Sequence, residues 1–154
     1  MVCDKKYIRK AQEADLGRIA EIYVFNNRMD YYPIIRSEAF SFGQLQVIPY
    51  ADRLRENSDN IYVYDDGVIK GFILLDGEEI KKLHVEYFFQ HRGIGSALIE
   101  YAKATHAARV LWTLEKNKKA LRFYQQHGFR PTGNKRPLTD LGGQTKYCVE
   151  LAIE

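Results

Sequence analysis

A short glycine-containing segment, Gln-His-Arg-Gly-Ile-Gly-Ser at positions 90–96, separates two runs of different character. Residues 80–89 form an apolar, strand-like run, and residues 96–104 have the composition of a helix. The first backbone N–H groups of a helix lack internal partners and carry the positive end of the helix dipole, so this junction favours an anion. Gly93 and Gly95 place no Cβ atom in the way of a phosphate, and Arg92 adds a positive charge. The segment predicts a strand–turn–helix unit that binds a phosphate-bearing ligand.

Two common phosphate-binding patterns do not fit this segment. The dinucleotide pattern G-x-G-x-x-G needs a third glycine where the chain has Leu98. The nucleotide P-loop ends in Lys followed by Ser or Thr, and that ending is absent. A nucleotide-binding regulator is therefore disfavoured.

The composition is that of a globular protein of one domain, residues 1–154, with 45% hydrophobic and 28% charged residues. The net charge is +3, and the basic residues are scattered, which argues against nucleic acid as a partner and suits an anionic cosubstrate. Cys3 and Cys148 have neither metal-ligand nor redox spacing, so we expect reduced thiols, a cytoplasmic location and no metal. No apolar run is long enough to cross a membrane.

The N-terminal third predicts helices around an irregular segment. Leu16, Ile19, Ala20 and Tyr23 follow one another at helical spacing, and Asn26-Asn27 is interpreted as a break. A second short helix is predicted over residues 49–57, because Pro49 suits a first turn. The aromatic residues between them could line a binding cleft or could simply cover the sheet.

The remainder predicts an α+β fold with about seven strands in one mixed, largely antiparallel sheet and helices on both faces. Tight turns at Asp65–Gly67 and Asp76–Gly77 indicate an antiparallel meander that ends with a strand over residues 79–85. The strand at 109–113 follows a helix, so it should pair in parallel with the strand at 79–85. Asn117 should cap a helix over 118–126, and Gly128 should end it. Strands are also predicted at 6–9, 61–64, 68–75, 129–134 and 144–153, with a loop at 137–143.

Two motifs in this order resemble those of the GNAT acetyltransferase superfamily. The first is Leu-His-Val at 83–85 followed by Gln-x-x-Gly-x-Gly at 90–95, and the second runs from Asn117 through Phe123-Tyr124 to Gly128-Phe129. The resemblance covers nearly the whole chain. It implies an acetyl-CoA-dependent N-acetyltransferase that acts as a monomer or homodimer on a primary amine of a small molecule or peptide.

The resemblance also implies roles for particular residues. Backbone groups of Leu83 and Val85 would bind the pantetheine arm like an added strand, and the amides from His91 to Ser96 would hold the pyrophosphate. The full set expected at the cosubstrate is Leu83, His84, Val85, Gln90, His91, Arg92, Gly93, Ile94, Gly95, Ser96, Asn117, Ala120, Phe123 and Tyr124.

Acetyl transfer requires a proton donor for the leaving thiolate, donors for the carbonyl oxygen and a proton acceptor for the amine. Tyr124 is the expected general acid, and the Val85 N–H is the expected donor to the oxygen. Glu79 and His84 are alternative bases, and a water chain is a third possibility. Strict alternation places Glu79 and His84 on opposite faces of their strand, unless a bulge intervenes.

The acceptor is expected between the segment 26–58 and the last hairpin. Tyr31, Tyr32, Phe40 and Phe42 are its predicted contacts, because aromatic faces and a carboxylate such as Glu79 attract a cationic amine. A second possibility is a catalytically silent module that only binds CoA, with Tyr124 in a structural role.

Overall fold

The computed structural model describes residues 4–138 and 146–153. Within these residues, five α-helices pack on a seven-stranded sheet, with shorter 3₁₀ segments and one π-helix between them. The helices are α1 (Leu16–Asp30), α2 (Tyr32–Ile35), α3 (Val47–Leu54), α4 (Ile94–His106) and α5 (Lys118–Gln126). The strands are β1 (Ile8–Lys10), β2 (Ile61–Asp65), β3 (Ile69–Asp76), β4 (Glu79–Val85), β5 (Val110–Leu114), β6 (Arg130–Leu138) and β7 (Lys146–Ala152).

The strands lie in the order β1-β2-β3-β4-β5-β7-β6, and among these seven described strands only β4 and β5 are parallel neighbours. This confirms the predicted mixed, largely antiparallel α+β sheet. The parallel pair is joined through α4, as a right-handed crossover requires an intervening segment. The junction at residues 90–96 therefore lies at the carboxyl end of β4, where ligands commonly bind in such sheets.

Two apolar clusters hold the helices to opposite faces of the sheet. One includes Leu98 and Ile99 of α4 against Leu111 and Phe129, and none of the four is more than 1% exposed. The other joins α1 and α3 to the far side of the sheet, with Ile19, Ile22, Val63 and Phe72 fully buried. The central strand β3 is consequently covered on both faces, and β4 pairs along one side of it.

A β-bulge interrupts β4 near its middle. Leu74 pairs with Lys82 and the next residue, Leu75, pairs with Ile80, which leaves Lys81 without a partner on β3. Parallel pairing between β4 and β5 is confined to Glu79–Val110 and Ile80–Leu111, just before the bulge. A bulge bends and twists its strand, so β4 separates from β5 after Ile80 and opens a cleft between them.

The predicted break at Asn26-Asn27 is wrong, because α1 continues through both residues to Asp30. Each asparagine is only 2% exposed, and the Asn26 Nδ2 donates a 2.6 Å hydrogen bond to the Val85 carbonyl. Asparagine is a weak helix former, but this tertiary contact outweighs its local preference.

Several predicted boundaries also shift. The helix predicted at 49–57 is α3, which begins two residues earlier and gives way to a 3₁₀ segment at Arg55–Asn60. The first strand begins only at Ile8, after a 3₁₀ turn capped by Asp4, and β6 extends to Leu138, four residues beyond the prediction. Pro137 therefore belongs to a strand rather than a loop. The rest of the loop predicted at 137–143 lies outside the described residues, apart from Leu138.

Candidate active site

The cleft between β4 and β5 has a volume of about 1190 Å³. Its walls come from α1, from both parallel strands, and from the amino ends of α4 and α5. Within the part of the chain that the structure describes, no cluster of three or more histidine, cysteine or acidic side chains could hold a metal ion, and no helix combines the length and apolarity needed to span a bilayer.

The edge of β4 that faces the cleft offers backbone hydrogen-bonding groups. The Glu86 N–H donates to the Lys70 carbonyl at 2.8 Å, which makes the adjacent Val85–Gly71 pair a non-hydrogen-bonded pair of the antiparallel ladder. The N–H and C=O of Val85 therefore point away from β3, and those of Leu83 do so by the same alternation. An extended ligand can add to this edge of β4 as a further strand would.

The Val85 carbonyl is occupied by two side chains. It accepts hydrogen bonds from Asn26 Nδ2 at 2.6 Å and from Gln90 Nε2 at 3.1 Å. The Gln90 Oε1 accepts from Lys119 Nζ at 2.7 Å, so Gln90 ties the turn before α4 to both β4 and α5. The Val85 N–H remains as the group that this residue presents to the cleft.

The amino end of α4 is shaped for an anion. Gly93 is its N-cap with a φ of 89°, and His91 also has a positive φ of 65°, so the chain turns sharply before the helix. The N–H groups of residues 94–96 precede the first intrahelical bond, which the Ala97 N–H makes to the Gly93 carbonyl at 3.0 Å. They lie on the wall of the cleft together with Gly93.

Gly95 is predicted to leave room for a phosphate, and it also has a role in helix packing. A Cβ atom at this position would lie 3.2 Å from Phe123 Cζ, so glycine allows α4 and α5 to meet. Arg92 does not line the cleft: its guanidinium lies 5.3 Å from the Phe89 ring centroid. The other residues predicted at the cosubstrate, including Asn117 and Ala120, all line the cleft.

Tyr124 of α5 lines the cleft and is the buried residue of that helix. It is 9% exposed, and its ring packs edge-on against Phe123 and Phe129 at centroid distances of 5.4 and 6.0 Å. Burial raises the pKa of the Tyr124 phenol, so the hydroxyl stays protonated and can donate at neutral pH. No hydrogen bond joins this hydroxyl to another residue within the described ranges 4–138 and 146–153.

Tyr31 approaches Tyr124 from the opposite wall. Burial is the main reason that the pKa of Tyr31 is raised, and the nearby phenol of Tyr124 raises it further. Both hydroxyls therefore remain neutral hydrogen-bond donors over the physiological range. Cys148 of β7 lies in the same region, and burial raises the pKa of its thiol, which disfavours a thiolate nucleophile.

The two residues predicted as alternative bases differ sharply. The side chains of Ile80, Leu83 and Val85 all pack on the α4 face of the sheet. Strict alternation would place Ile80 and Leu83, three positions apart, on opposite faces. The bulge between them brings both to the same face. Glu79 and His84 consequently share the α1 face, contrary to strict alternation. The Glu79 carboxylate lies 3.0 Å from Lys81 Nζ on the cleft wall.

His84 is poorly suited to accept a proton. Its ring packs against Tyr23 edge-on at 5.1 Å and stacks on Phe72 at 5.7 Å. Burial, followed by the charge of Lys82, lowers the pKa of His84 to about 3. An imidazole with so low a pKa cannot take up the proton of an amine at neutral pH, so the geometry favours a packing role.

Of the four aromatics predicted at the acceptor, the structure brings two to the cleft. Tyr31 and Phe40 line it. Tyr32 and Phe42 do not, because their rings pack edge-on against each other at 5.1 Å, and Arg28 covers Phe42 at 5.2 Å. The side chains of α2 and the π-helix that follows are thus divided between the cleft and a separate surface cluster.

Sequence reasoning missed three polar residues that also line the cleft, namely Asn26, Asn27 and Lys82. The Oδ1 atoms of both asparagines are buried and accept no hydrogen bond from any described residue. Lys82 Nζ donates to the Tyr23 hydroxyl at 3.0 Å and lies 4.7 Å from that ring. The sequence signal that could have indicated these polar cleft residues was the pair of adjacent asparagines within an otherwise amphipathic helix.

Comparison with known proteins identifies the class. The family model described as "Acetyltransferase (GNAT) domain" matches residues 57–131. The chain is 30% identical over 124 residues to the peptidyl-lysine N-acetyltransferase YiaC of Escherichia coli K12, covering 79% of this chain and 82% of that protein. The chain therefore belongs to the GNAT family and is an acetyl-CoA-dependent N-acetyltransferase.

Two further similarities agree with this assignment. The peptidyl-lysine N-acetyltransferase YjaB of Salmonella typhimurium is 33% identical over 82 residues, which are 53% of this chain and 56% of that protein. The PaiA N-acetyltransferase of Thermoplasma acidophilum, crystallised with coenzyme A, has a TM-score of 0.74 at 18% identity, over 94% of this chain and 97% of that one. The latter likeness concerns the fold.

Proposed function

We propose that this enzyme transfers the acetyl group of acetyl-CoA directly to a primary amine of a small molecule or peptide. The observation that carries the proposal is a single cleft that contains three elements together. These are the backbone groups of Leu83 and the N–H of Val85 at the edge of β4, the amides at the start of α4 that precede its first intrahelical bond, and the protonated hydroxyl of Tyr124.

The residues of the cleft fit acetyl-CoA. The amides of residues 94–96 and the dipole of α4 suit its pyrophosphate, and the free edge of β4 suits the amide groups of its pantetheine arm. Phe123 and Ala120 give the opposite wall an apolar surface. We therefore assign the face formed by β4, α4 and α5 to the cosubstrate. The face that carries Tyr31, Phe40 and Asn27 is left for the acceptor.

The chain's own groups can serve each step of direct transfer. The neutral amine attacks the thioester carbonyl carbon, a C–N bond forms, and the C–S bond breaks. The Val85 N–H is placed to donate to the carbonyl oxygen as negative charge develops on it. Tyr124 then supplies its proton to the departing sulfur.

The proton released by the amine needs an acceptor other than His84. Glu79 is the proposed base, either directly or through water, because its carboxylate lies on the same face of β4 as the acceptor wall. Lys81 Nζ lies 3.0 Å from this carboxylate and fixes its orientation. Tyr31 and Phe40 would attract the amine in its cationic form before that proton is lost.

Replacing Tyr124 by phenylalanine tests the proposal. The ring packing is kept while the proton donor is removed, so acetyl-CoA affinity should be unchanged and kcat should fall by about 10²–10⁴-fold. Thiol release and the mass of the acetylated amine are measured with a panel of amines and lysine peptides. Tyr147→Phe is the matched control, because Tyr147 is 44% exposed and does not line the cleft.

Two outcomes would count against this account. Equal turnover by the native protein and Tyr124→Phe would show that the thiolate leaves without this hydroxyl. Tight acetyl-CoA binding with no thiol release from any amine would instead support a silent CoA-binding module.

A further inference from the structure

Behind the cosubstrate wall, three side chains form a linear hydrogen-bonded relay. The Ser96 Oγ lies 3.0 Å from His127 Nε2, and the His127 Nδ1 lies 2.8 Å from Glu100 Oε1. Ser96 lines the cleft at the start of α4, whereas His127 and Glu100 do not. The ring of His127 is well covered, with 13% of its side chain exposed.

The far end of the relay is ionised. The pKa of Glu100 is lowered, first by its hydrogen bond with His127 and further by Lys103, although desolvation opposes both. A carboxylate only accepts hydrogen bonds, so the proton on this edge of the ring must be on His127 Nδ1. The state of Nε2 then decides which way the bond to Ser96 runs.

The two protonation states of His127 prepare Ser96 differently. In the neutral ring Nε2 is an acceptor, so the Ser96 hydroxyl donates inward and turns only lone pairs toward the cleft. In the imidazolium Nε2 donates to Ser96 Oγ, and the Ser96 hydrogen becomes free to bind an oxygen in the cleft. A phosphate is an acceptor, so it matches only the second state.

We propose that the Ser96–His127–Glu100 relay is a proton-linked part of the pyrophosphate site, and that His127 takes up a proton when the cosubstrate binds. The inference rests on the proposed placement of acetyl-CoA. His127 is a positioning residue, because it acts on the ligand through Ser96. No heavy atom needs to move: a proton from solvent adds to Nε2, and the Ser96 hydroxyl rotates toward the phosphate.

The other groups around the ring are consistent with a site that responds to an added negative charge. Lys103 Nζ lies 3.2 Å from Glu100 Oε1 and donates to the His127 carbonyl at 2.9 Å. From α5 the neighbour is the apolar ring of Phe123, at 4.8 Å. His127 follows the last residue of α5, where the helix dipole favours a cation. A bound phosphate would add a further anion on the Ser96 side.

Calorimetry can count the linked proton. Binding of acetyl-CoA is measured at pH 7.5 in buffers of different ionisation enthalpy, for the native protein and for His127→Gln. Glutamine can still donate to Ser96 but takes up no proton. The native protein should take up more protons than the variant, by up to one. As pH rises, the affinity of the native protein for acetyl-CoA should also fall more steeply than that of His127→Gln. The difference should approach about tenfold per pH unit.

Two further measurements keep the test decisive. Ser96→Ala leaves the histidine in place but breaks the relay, and it should remove the same extra proton uptake. S-acetyl-pantetheine lacks phosphates, so its affinity should not distinguish the native protein from His127→Gln. Equal proton uptake by the native protein and both variants would overturn the inference, whereas no binding of acetyl-CoA at all would overturn the proposed cosubstrate site instead.

Discussion

Asn26 and Asn27 show how single residues join the scaffold to the site. The Asn26 amide nitrogen holds the Val85 carbonyl, which leaves the Val85 N–H as the group presented to the cleft. Their buried Oδ1 atoms accept no hydrogen bond from the described residues, and such groups ordinarily cost about 1–3 kcal/mol each. Unsatisfied groups of this kind call for a partner such as water or ligand, which fits their place on the wall that we propose for the acceptor.

The pKa of His84 predicts how folding stability depends on pH. The native ring resists protonation down to a pH of about 3, whereas a histidine in the unfolded chain takes up a proton below about 6.5. Between these values the unfolded state binds the extra proton, so this group lowers the free energy of unfolding as pH falls.

His84→Gln should remove this contribution. Denaturant unfolding at pH 6.5 and pH 5.0 should show a smaller loss of stability for the variant than for the native protein, by up to about 1.4 kcal/mol per pH unit. Equal losses for the two proteins would mean that the ring is protonated in the native state, and would return His84 to the candidate bases.

At the scale of elements, the bulge in β4 has two effects. It ends the pairing with β5 after Ile80, which opens the cleft, and it places Glu79 on the same face as His84. Both effects follow from a single unpaired residue, Lys81. Beyond the bulge, the wall of the cleft is held by the packing of β3, β4 and α4.

Gly71 lies where these three elements meet. A Cβ atom there would be 3.0 Å from the His84 carbonyl oxygen and 3.3 Å from side-chain atoms of both Ile94 and Leu98. Gly71→Ala should therefore destabilise the fold by about 1–3 kcal/mol, as overpacking does. The matched control is Gly17→Ala in α1, where no atom lies within 4 Å and alanine should stabilise the helix by about 0.5–1 kcal/mol.

Urea unfolding at constant m-value measures both changes. A neutral Gly71→Ala would mean that α4 can move away from β3 without cost. The cleft wall would then be less firmly held than the packing indicates.

Elements with local signals could be predicted from sequence, and features that depend on tertiary contact could not. The turn at Asp76–Gly77, the Asn117 cap and the parallel β4–β5 pair followed from turn residues, spacing and chain connectivity. The break predicted at Asn26-Asn27 is wrong, because the helical state of these residues depends on contacts that are distant in sequence.

The same division holds within the site. The motif residues that line the cleft are neighbours along the chain and could be placed by resemblance. Tyr32 and Phe42 could not be told apart from Tyr31 and Phe40, because aromatic composition does not show which way a side chain points in an irregular segment. The Ser96–His127 contact joins residues 31 positions apart and has no local signature.

At the scale of the whole molecule, we propose that one cleft, formed where β4 leaves β5, binds acetyl-CoA at the amino end of α4. A ligand that binds only the folded state stabilises it by about 2.7 kcal/mol at a hundredfold excess over Kd. For a chain of this length, that corresponds to a rise in Tm of several degrees. NAD and ATP should stabilise it much less, because the patterns that bind them are absent from the turn.

The most direct measurement compares thermal shifts with acetyl-CoA for the native protein, Gly93→Glu and Gly133→Glu. Gly93 and Gly133 have nearly the same φ, 89° and 93°, so both substitutions bring similar backbone strain and the same charge, but Gly133 does not line the cleft. Native protein and Gly133→Glu should both be stabilised, and Gly93→Glu should not, because its carboxylate would occupy the phosphate position. No shift with the native protein at millimolar acetyl-CoA, or an undiminished shift with Gly93→Glu, would contradict the placement of the cosubstrate in this cleft.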